Sequence, residues 1–414
     1  MLSDVLGSKV FAQGEDVSAN DKINVGFVGL GGMGRANLNA FLQQRDCRVV
    51  ALCDIDKDHL DKAAGIVNDF YGDQICSVYH NFEELYARKD IDAVCLSLPD
   101  HWHGVASVMA AQAGKDIYGE KPLAHTLREG RAICEAVERY GRIWQTGSWQ
   151  RSQTSFRYAC EVILNGCIGK IKKVEVGLPA GPGFDIAKRN TLMSDPVPET
   201  LDYERWLGPA PYAPYSPNRV HFGWRWHLDY GGGQLTDWIG HHLDIAHWSL
   251  GLDREGPVEI DGKGKFIPQG AWNCPYEFDI DLTYKNAPPI KVCSQNEDVK
   301  QGIKWTGEKG WLFVSRGEIK ASSRELLRLK FSPNEINLFR SPGHQRNFLD
   351  CVRSRSETIT PCEIAHRSVS PGQLGMISML LGRKLKFDPI AEKVINDSSA
   401  DNMLGKSLRS PWVM

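Results

Sequence analysis

Asp237 and His241 stand four residues apart, directly after Gly231-Gly232-Gly233. On a helix that spacing stacks a carboxylate and an imidazole on one face, where both can meet one small molecule. Histidine suits proton abstraction from an alcohol near neutral pH, because its ordinary pKa of about 6.5 lies close to working conditions. The three glycines let backbone approach closely. Earlier in the chain, the strand-like run Asp116-Ile117-Tyr118 passes into the tight turn Gly119-Glu120-Lys121-Pro122. A hydroxyl that loses hydride also loses a proton, so such a reaction needs a base near the oxygen and positive charge for the forming alkoxide. His241 can be the base and Lys121 the charge, with Asp237 holding the imidazole or a neighbouring hydroxyl.

The hydride acceptor is indicated by a second set of residues. A strand-like run, Ile23 to Val28, leads into Gly29-Leu30-Gly31-Gly32-Met33-Gly34, followed by a helical stretch from Arg35 to Gln44. Gly29 permits the tight turn, Gly31 lets backbone reach a pyrophosphate, and Gly34 lets the helix pack on the strand with its amides facing phosphate. A second run, Val49 to Cys53, ends on Asp54, twenty residues after Gly34. An acid there accepts hydrogen bonds from the adenosine ribose and repels a 2′-phosphate. The expected cofactor is NAD, with NADP less favoured.

The elements that hold these groups follow from periodicity. From residue 23 to 148 short apolar runs alternate with helical stretches, the pattern of a parallel sheet with crossover helices. One of these strands, Ala93 to Leu98, ends at Pro99-Asp100-His101-Trp102-His103, with a helix expected from Gly104 to Ala113. Ligands sit at such carboxyl ends, which makes Leu98, Pro99, Asp100 and His103 cofactor contacts by expectation. Residues 149–414 read as an α+β unit with a large open, mostly antiparallel sheet between Val258 and Val314. It is completed by helices from His344 to Arg353 and Glu363 to Leu381 and by a polar tail. Within this unit runs a proline- and glycine-rich loop, Pro179 to Pro217, whose aromatics, among them Tyr203, Trp206, Tyr212 and Tyr215, argue for a packed loop that could lie over a substrate pocket. Trp224-Arg225-Trp226 precedes the glycine triplet and could line a sugar pocket through aromatic faces and a polar fork, or serve packing.

Composition excludes several classes. A length of 414 residues exceeds one ordinary domain. A net charge of −2 gives no footprint for nucleic acid, and no apolar run reaches the ~20 residues a bilayer needs. The eleven cysteines have no zinc-ribbon spacing, and most read as buried thiols, as in a reducing compartment. Residues 1–22 read as a flexible leader in which Val10-Phe11-Ala12 resembles the end of an export signal. A periplasmic address is therefore an expectation, with a cytoplasmic one as the alternative.

Taken together, Gly29 to Gly34, the Pro99 to His103 turn, Glu120-Lys121-Pro122 and the Asp237 to His241 segment resemble the signatures of the Gfo/Idh/MocA oxidoreductases, in the same order along the chain. Glu308-Lys309-Gly310-Trp311 and the ending from Gly382 to Trp412 resemble a bacterial subgroup with an elaborated C-terminal domain. The resemblance implies Lys121 as catalytic lysine, Asp237 as substrate-orienting acid and His241 as proton acceptor. It further implies a cis peptide before Pro122. Gly32, Met33, Glu120 and Gln150 would lie near the cofactor, and Arg151 near the substrate. Assembly into a homodimer or homotetramer through the second sheet is also implied. Asp100 stands where the family commonly has asparagine. The activity implied is oxidation of a secondary hydroxyl of a sugar or glycoside. Three other readings remain compatible: an NAD-retaining, redox-neutral glycosidase; a metal-dependent enzyme using His101, His103, Asp237, His241 or His242; and a non-catalytic NAD-bound sensor. No metal is expected on the leading reading.

Overall fold

In the computed structural model, residues 18, 21–74, 76–181, 195–267 and 270–414 are described. The proposed leader, including Val10-Phe11-Ala12, lies outside these residues, as does part of the Pro179 to Pro217 loop.

The first unit runs β1 (Ile23–Val28), α1 (Gly32–Leu42), β2 (Cys47–Cys53), α2 (Lys57–Tyr71), β3 (Ser77–Tyr79) and α3 (Phe82–Tyr86). It continues with β4 (Ala93–Leu96), α4 (Asp100–Gln112), β5 (Asp116–Gly119), α5 (Leu127–Arg139) and β6 (Trp144–Thr146). The strands form one sheet in the order β3-β2-β1-β4-β5-β6, and every pairing is parallel. The order reverses at β1 and β4, and the carboxyl ends of these two strands open a crevice for a ligand. Both faces are covered, so β4 and β5 are buried throughout.

The second unit opens with α6 (Thr154–Leu164) and β7 (Ile171–Leu178), followed by α7 (Tyr203–Leu207) and α8 (Gly233–Leu250). The strands β8 (Glu259–Phe266), β9 (Pro275–Thr283), β10 (Ile290–Ser294), β11 (Gly302–Gly307), β12 (Trp311–Ser315) and β13 (Glu318–Ala321) come next. After them lie α9 (His344–Ser354), α10 (Cys362–Leu381), β14 (Leu385–Asp388), β15 (Lys393–Val394) and α11 (Ser398–Asn402). Nine strands make one sheet in the order β13-β12-β11-β7-β10-β9-β8-β14-β15. Its pairings are antiparallel apart from β7 with β10. Helices α6, α8 and α10 cover one face. The other face carries charge, with Lys291 2.8 Å from Asp279 and Lys173 2.8 Å from Glu175.

Two expectations need correction. Helix α4 begins at Asp100 and not Gly104, because His101, Trp102 and His103 are buried in its first turn behind Pro99. The tail is not merely polar: it adds β14, β15 and α11, and Trp412 packs edge-on against Trp102 with ring centres 4.7 Å apart. Among the described residues, no helix is long and apolar enough to cross a membrane.

Candidate active site

A cleft opens at the carboxyl ends of β1 and β4. Its floor is the glycine loop, and two glycines there have no room for a side chain. A Cβ on Gly34 would lie 2.0 Å from the Gly29 carbonyl oxygen, and one on Gly29 would lie 2.3 Å from that of Ser97, with Gly29 at φ +84°. That tight turn keeps the start of α1 against the cleft, so the cradle fits a dinucleotide pyrophosphate. Asp54 sits beside it, fully engaged: one oxygen accepts from the Leu30 N–H at 2.6 Å and the other from the Asp56 N–H at 2.8 Å. Burial pushes this carboxyl up, and the two N–H groups offset that only in part.

At the other end of the cleft Lys121 and Asp237 form an ion pair of 2.7 Å. The turn that presents the lysine contains a cis Lys121–Pro122 peptide. His103 braces this turn from within, placing one ring nitrogen 2.6 Å from the Pro122 carbonyl and the other 2.9 Å from the Leu98 carbonyl. It therefore spans both ligand-bearing turns and does not line the cleft. Helix α8 packs against the same turn at Gly240, where a Cβ would sit 3.6 Å from that of Lys121. Ser148 fixes α8 from the other side by donating to the Gly240 carbonyl at 2.7 Å.

One turn along α8 from Asp237, His241 is buried behind the cleft wall between Trp149 and Trp238, and its Nδ1 has no partner. Burial, with the charges of Lys121 and Arg316 nearby, holds its pKa well below the ordinary value. The ring is thus a neutral acceptor through the neutral range. Asp237 is lowered as well, but against burial and not by it. Burial alone would raise it, yet Lys121, Arg225 and Arg316 hold it below the usual carboxylate range. Asp100, buried on the same wall, is pushed well above that range by burial and by the charge of Asp237. Its neutral form offers one donor and one acceptor, as an asparagine would.

The cleft brings together the sequence-predicted Gly29, Gly31, Gly32, Met33, Gly34, Asp54, Leu98, Pro99, Asp100, Glu120, Lys121, Trp224, Arg225 and Asp237. Others are placed elsewhere. Arg151 does not reach the cleft. Buried, it spends its guanidinium on Asp244 at 2.7 and 2.8 Å and on Asp253 at 2.7 and 3.1 Å. Trp226 packs on Trp272, ring centres 4.7 Å apart, away from the cleft. With its amide oriented to suit its neighbours, Gln150 donates to the His241 carbonyl at 2.8 Å and accepts from Arg316 Nε at 3.1 Å. It stands behind His241 and not along the cofactor cleft.

The histidines considered as metal ligands do not converge on one point. His101 bonds the Trp206 carbonyl at 2.9 Å, and His242 is enclosed by Phe156 and Trp238. Among the described residues, the grouping whose ligand atoms lie within 4.8 Å of one another is Asp56, His59 and His221, at the adenosine end.

Two further features shape the site, and only the second was signalled in the sequence, by the aromatics of its loop. The first is Arg316, in the turn between β12 and β13, which returns to the site from a distant part of the chain. The second is a strap formed by Thr200 to His221, which closes the adenosine end. Asp202 N–H bonds the Ile55 carbonyl at 3.1 Å, Lys57 N–H bonds that of Thr200 at 2.9 Å, and Arg205 pairs with Glu83 at 2.6 Å. The tail locks the strap, with Arg409 Nε donating to the Gly208 carbonyl at 2.9 Å.

Comparison with known proteins follows the same division of the chain. Residues 23–148 match the family model of the oxidoreductase NAD-binding Rossmann fold, and residues 152–414 match that of the oxidoreductase C-terminal alpha/beta domain. Inositol 2-dehydrogenase of Serratia proteamaculans is 29% identical over 189 residues, 45% of this chain and 54% of that protein. A glycosyl hydrolase family 109 protein of Shewanella putrefaciens is 31% identical over 127 residues, 29% of this chain and 27% of that protein. The chain thus spans about half or less of the curated relatives it matches. Among solved structures, WlbA dehydrogenase of Bordetella pertussis, in complex with NADH and UDP-GlcNAcA, is 17% identical. It aligns over 89% of this chain and 99% of that one, with a TM-score of 0.63. Aldose-aldose oxidoreductase of Caulobacter crescentus has the same TM-score at 19% identity, covering 88% of this chain and 100% of the other. Two family models that together span the chain from Ile23 to its last residue, over a glycine cradle built for a nicotinamide dinucleotide, place this protein in the Gfo/Idh/MocA oxidoreductase family.

Proposed function

We propose that the chain is an NAD-dependent dehydrogenase acting on a secondary hydroxyl of a sugar or glycoside and giving a keto sugar. The observation that carries this reading is the Lys121–Asp237 ion pair at the end of the dinucleotide cleft, with a neutral His241 one helical turn away. The bound nicotinamide would supply the hydride acceptor. Lys121 donates a hydrogen bond to the reacting oxygen and stabilises negative charge as it develops there. Asp237 orients that lysine and can accept from a neighbouring sugar hydroxyl. His241 takes the hydroxyl proton. NAD is proposed over NADP because Asp54, at the adenosine end, disfavours a 2′-phosphate. The likeness to inositol 2-dehydrogenase supports a polyhydroxylated substrate. Assembly through the second sheet into a homodimer or homotetramer is part of the proposal, and light scattering checks it.

A second reading draws on the strap, whose contacts over the adenosine end suit a dinucleotide that is kept between turnovers. A redox-neutral glycosidase would use it so, and some of the relatives are glycosyl hydrolase family 109 proteins. A panel of free sugars and glycosides separates the two. Stoichiometric NADH formation with retention of the glycosidic bond supports the dehydrogenase, whereas released sugar without NADH supports the glycosidase. Neither product from any member of the panel would sink both.

A further inference from the structure

Arg316 lies in the tight turn between β12 and β13, far in sequence from every other residue of the site. Its guanidinium carbon is 4.3 Å from the ring centre of Trp149 and 4.3 Å from that of Trp238. An arginine between two indoles is held by cation–π attraction on both planar faces, which leaves only its edge for hydrogen bonding. Nε uses part of that edge on Gln150 at 3.1 Å. Among the described residues the two terminal nitrogens have no hydrogen-bond partner, and the side chain is exposed. A planar fork with fixed orientation and free N–H groups matches a carboxylate or phosphate bidentately.

The charge around this fork is unbalanced. Lys121, Arg225 and Arg316 all act on the single carboxylate of Asp237, and Asp100 on the same wall is held toward its neutral form. The same indoles flank His241, with ring centres 6.1 and 5.7 Å away, so the fork and the proposed base share one wall. Each of the two indoles carries the guanidinium over its ring. The free edge of the fork is the polar group that this stack offers a substrate.

We propose that Arg316 is a specificity residue that grips the carboxylate of a sugar acid while its hydroxyl lies at Lys121 and His241. This rests on the dehydrogenase reading for turnover, but binding can be read without it. A carboxylate is favoured over a phosphate because its two oxygens lie in one plane, as the free N–H groups of the stacked guanidinium do.

The test compares methyl glucuronide, methyl glucoside and glucose 6-phosphate on the full chain loaded with NAD, in the wild type, Arg316→Met and Arg316→Lys. Binding is read by calorimetry and by fluorescence of the flanking tryptophans, and turnover by NADH absorbance. Wild type is expected to bind the glucuronide at least roughly tenfold tighter than the glucoside. Arg316→Met is expected to lose that preference through KM, with NAD affinity unchanged, and Arg316→Lys to recover only part of it. Equal binding of acid and neutral sugar by the wild type would overturn the proposal, as would a preference that survives in Arg316→Met. Tighter binding of the sugar phosphate than of the glucuronide would overturn the assignment to a carboxylate. A glucuronide that binds through Arg316 without forming NADH would uphold this proposal and count against the dehydrogenase reading instead.

Discussion

Asp100 shows how burial can turn one side chain into the equivalent of another. As the first residue of α4 it meets the positive end of the helix dipole, which favours a charge. Burial and the nearby Asp237 act against that charge and prevail, holding the carboxyl well above its usual range. A carboxyl shifted in this direction keeps its proton to higher pH than an exposed one and ionises as the pH rises. Asp100→Asn is therefore expected to leave NAD affinity within about threefold of wild type. It should also remove any weakening of NAD binding that wild type shows on the alkaline side, as followed by fluorescence titration. Loss of binding by tenfold or more in this variant would mean that Asp100 works as a charge. At this scale the sequence was most informative where chemistry depends on local spacing. The glycines, Asp54, and the Asp237 to His241 interval announce themselves because loop geometry and helical period are set by near neighbours. Arg316 does not, because the contacts that orient it come from Trp149 and Trp238 on two other elements.

Helix α8 is the element on which the site depends, and its position is fixed by ions as well as by packing. Arg151, just outside the first unit, reaches Asp244 on α8 and Asp253 beyond it, with the arginine and Asp244 almost without exposure. Breaking a buried pair leaves an uncompensated charge, at a cost of about 3–5 kcal/mol. Arg151→Met is expected to lose stability on that order in urea unfolding, and to lose activity only in proportion to misfolded protein. A variant of unchanged stability but altered KM would instead return Arg151 to the substrate site. In the sequence Gln150-Arg151 gave no means of separating a buried ion pair from a substrate contact, because both use the same residue type at the same place. Trp226 and Trp224 posed the same ambiguity, and the structure sends only Trp224 to the cleft.

The molecule as a whole buries an unusual set of neutral histidines. Desolvation lowers His101 and His242 to about 3, and His227, His247 and His344 to about 4. These folded-state values lie below the ordinary 6.5, so the unfolded chain takes up protons that the folded one refuses. Stability is complete above about pH 6.5 and falls as the pH drops toward 4, each histidine contributing up to about 1.4 kcal/mol per pH unit. Urea midpoints measured between pH 8 and 4 are expected to decline steeply below 6.5, and a flat profile would refute the buried neutral assignment. At this scale the sequence was legible in outline, and on closure it offered only the aromatics of the loop and not their contacts. The two sheets followed from periodicity, whereas the strap and the tail that locks it depend on contacts between distant segments such as Arg409 with Gly208. Those contacts complete the cleft in which Lys121 and His241 are proposed to act on one hydroxyl beside the nicotinamide. The most direct test measures NADH formation by wild type, Lys121→Ala and His241→Ala at saturating NAD, with NAD affinity determined in parallel. Turnover reduced by about 10²-fold or more in each variant, at unchanged NAD affinity, is the expected result. Full turnover in either variant would contradict the account.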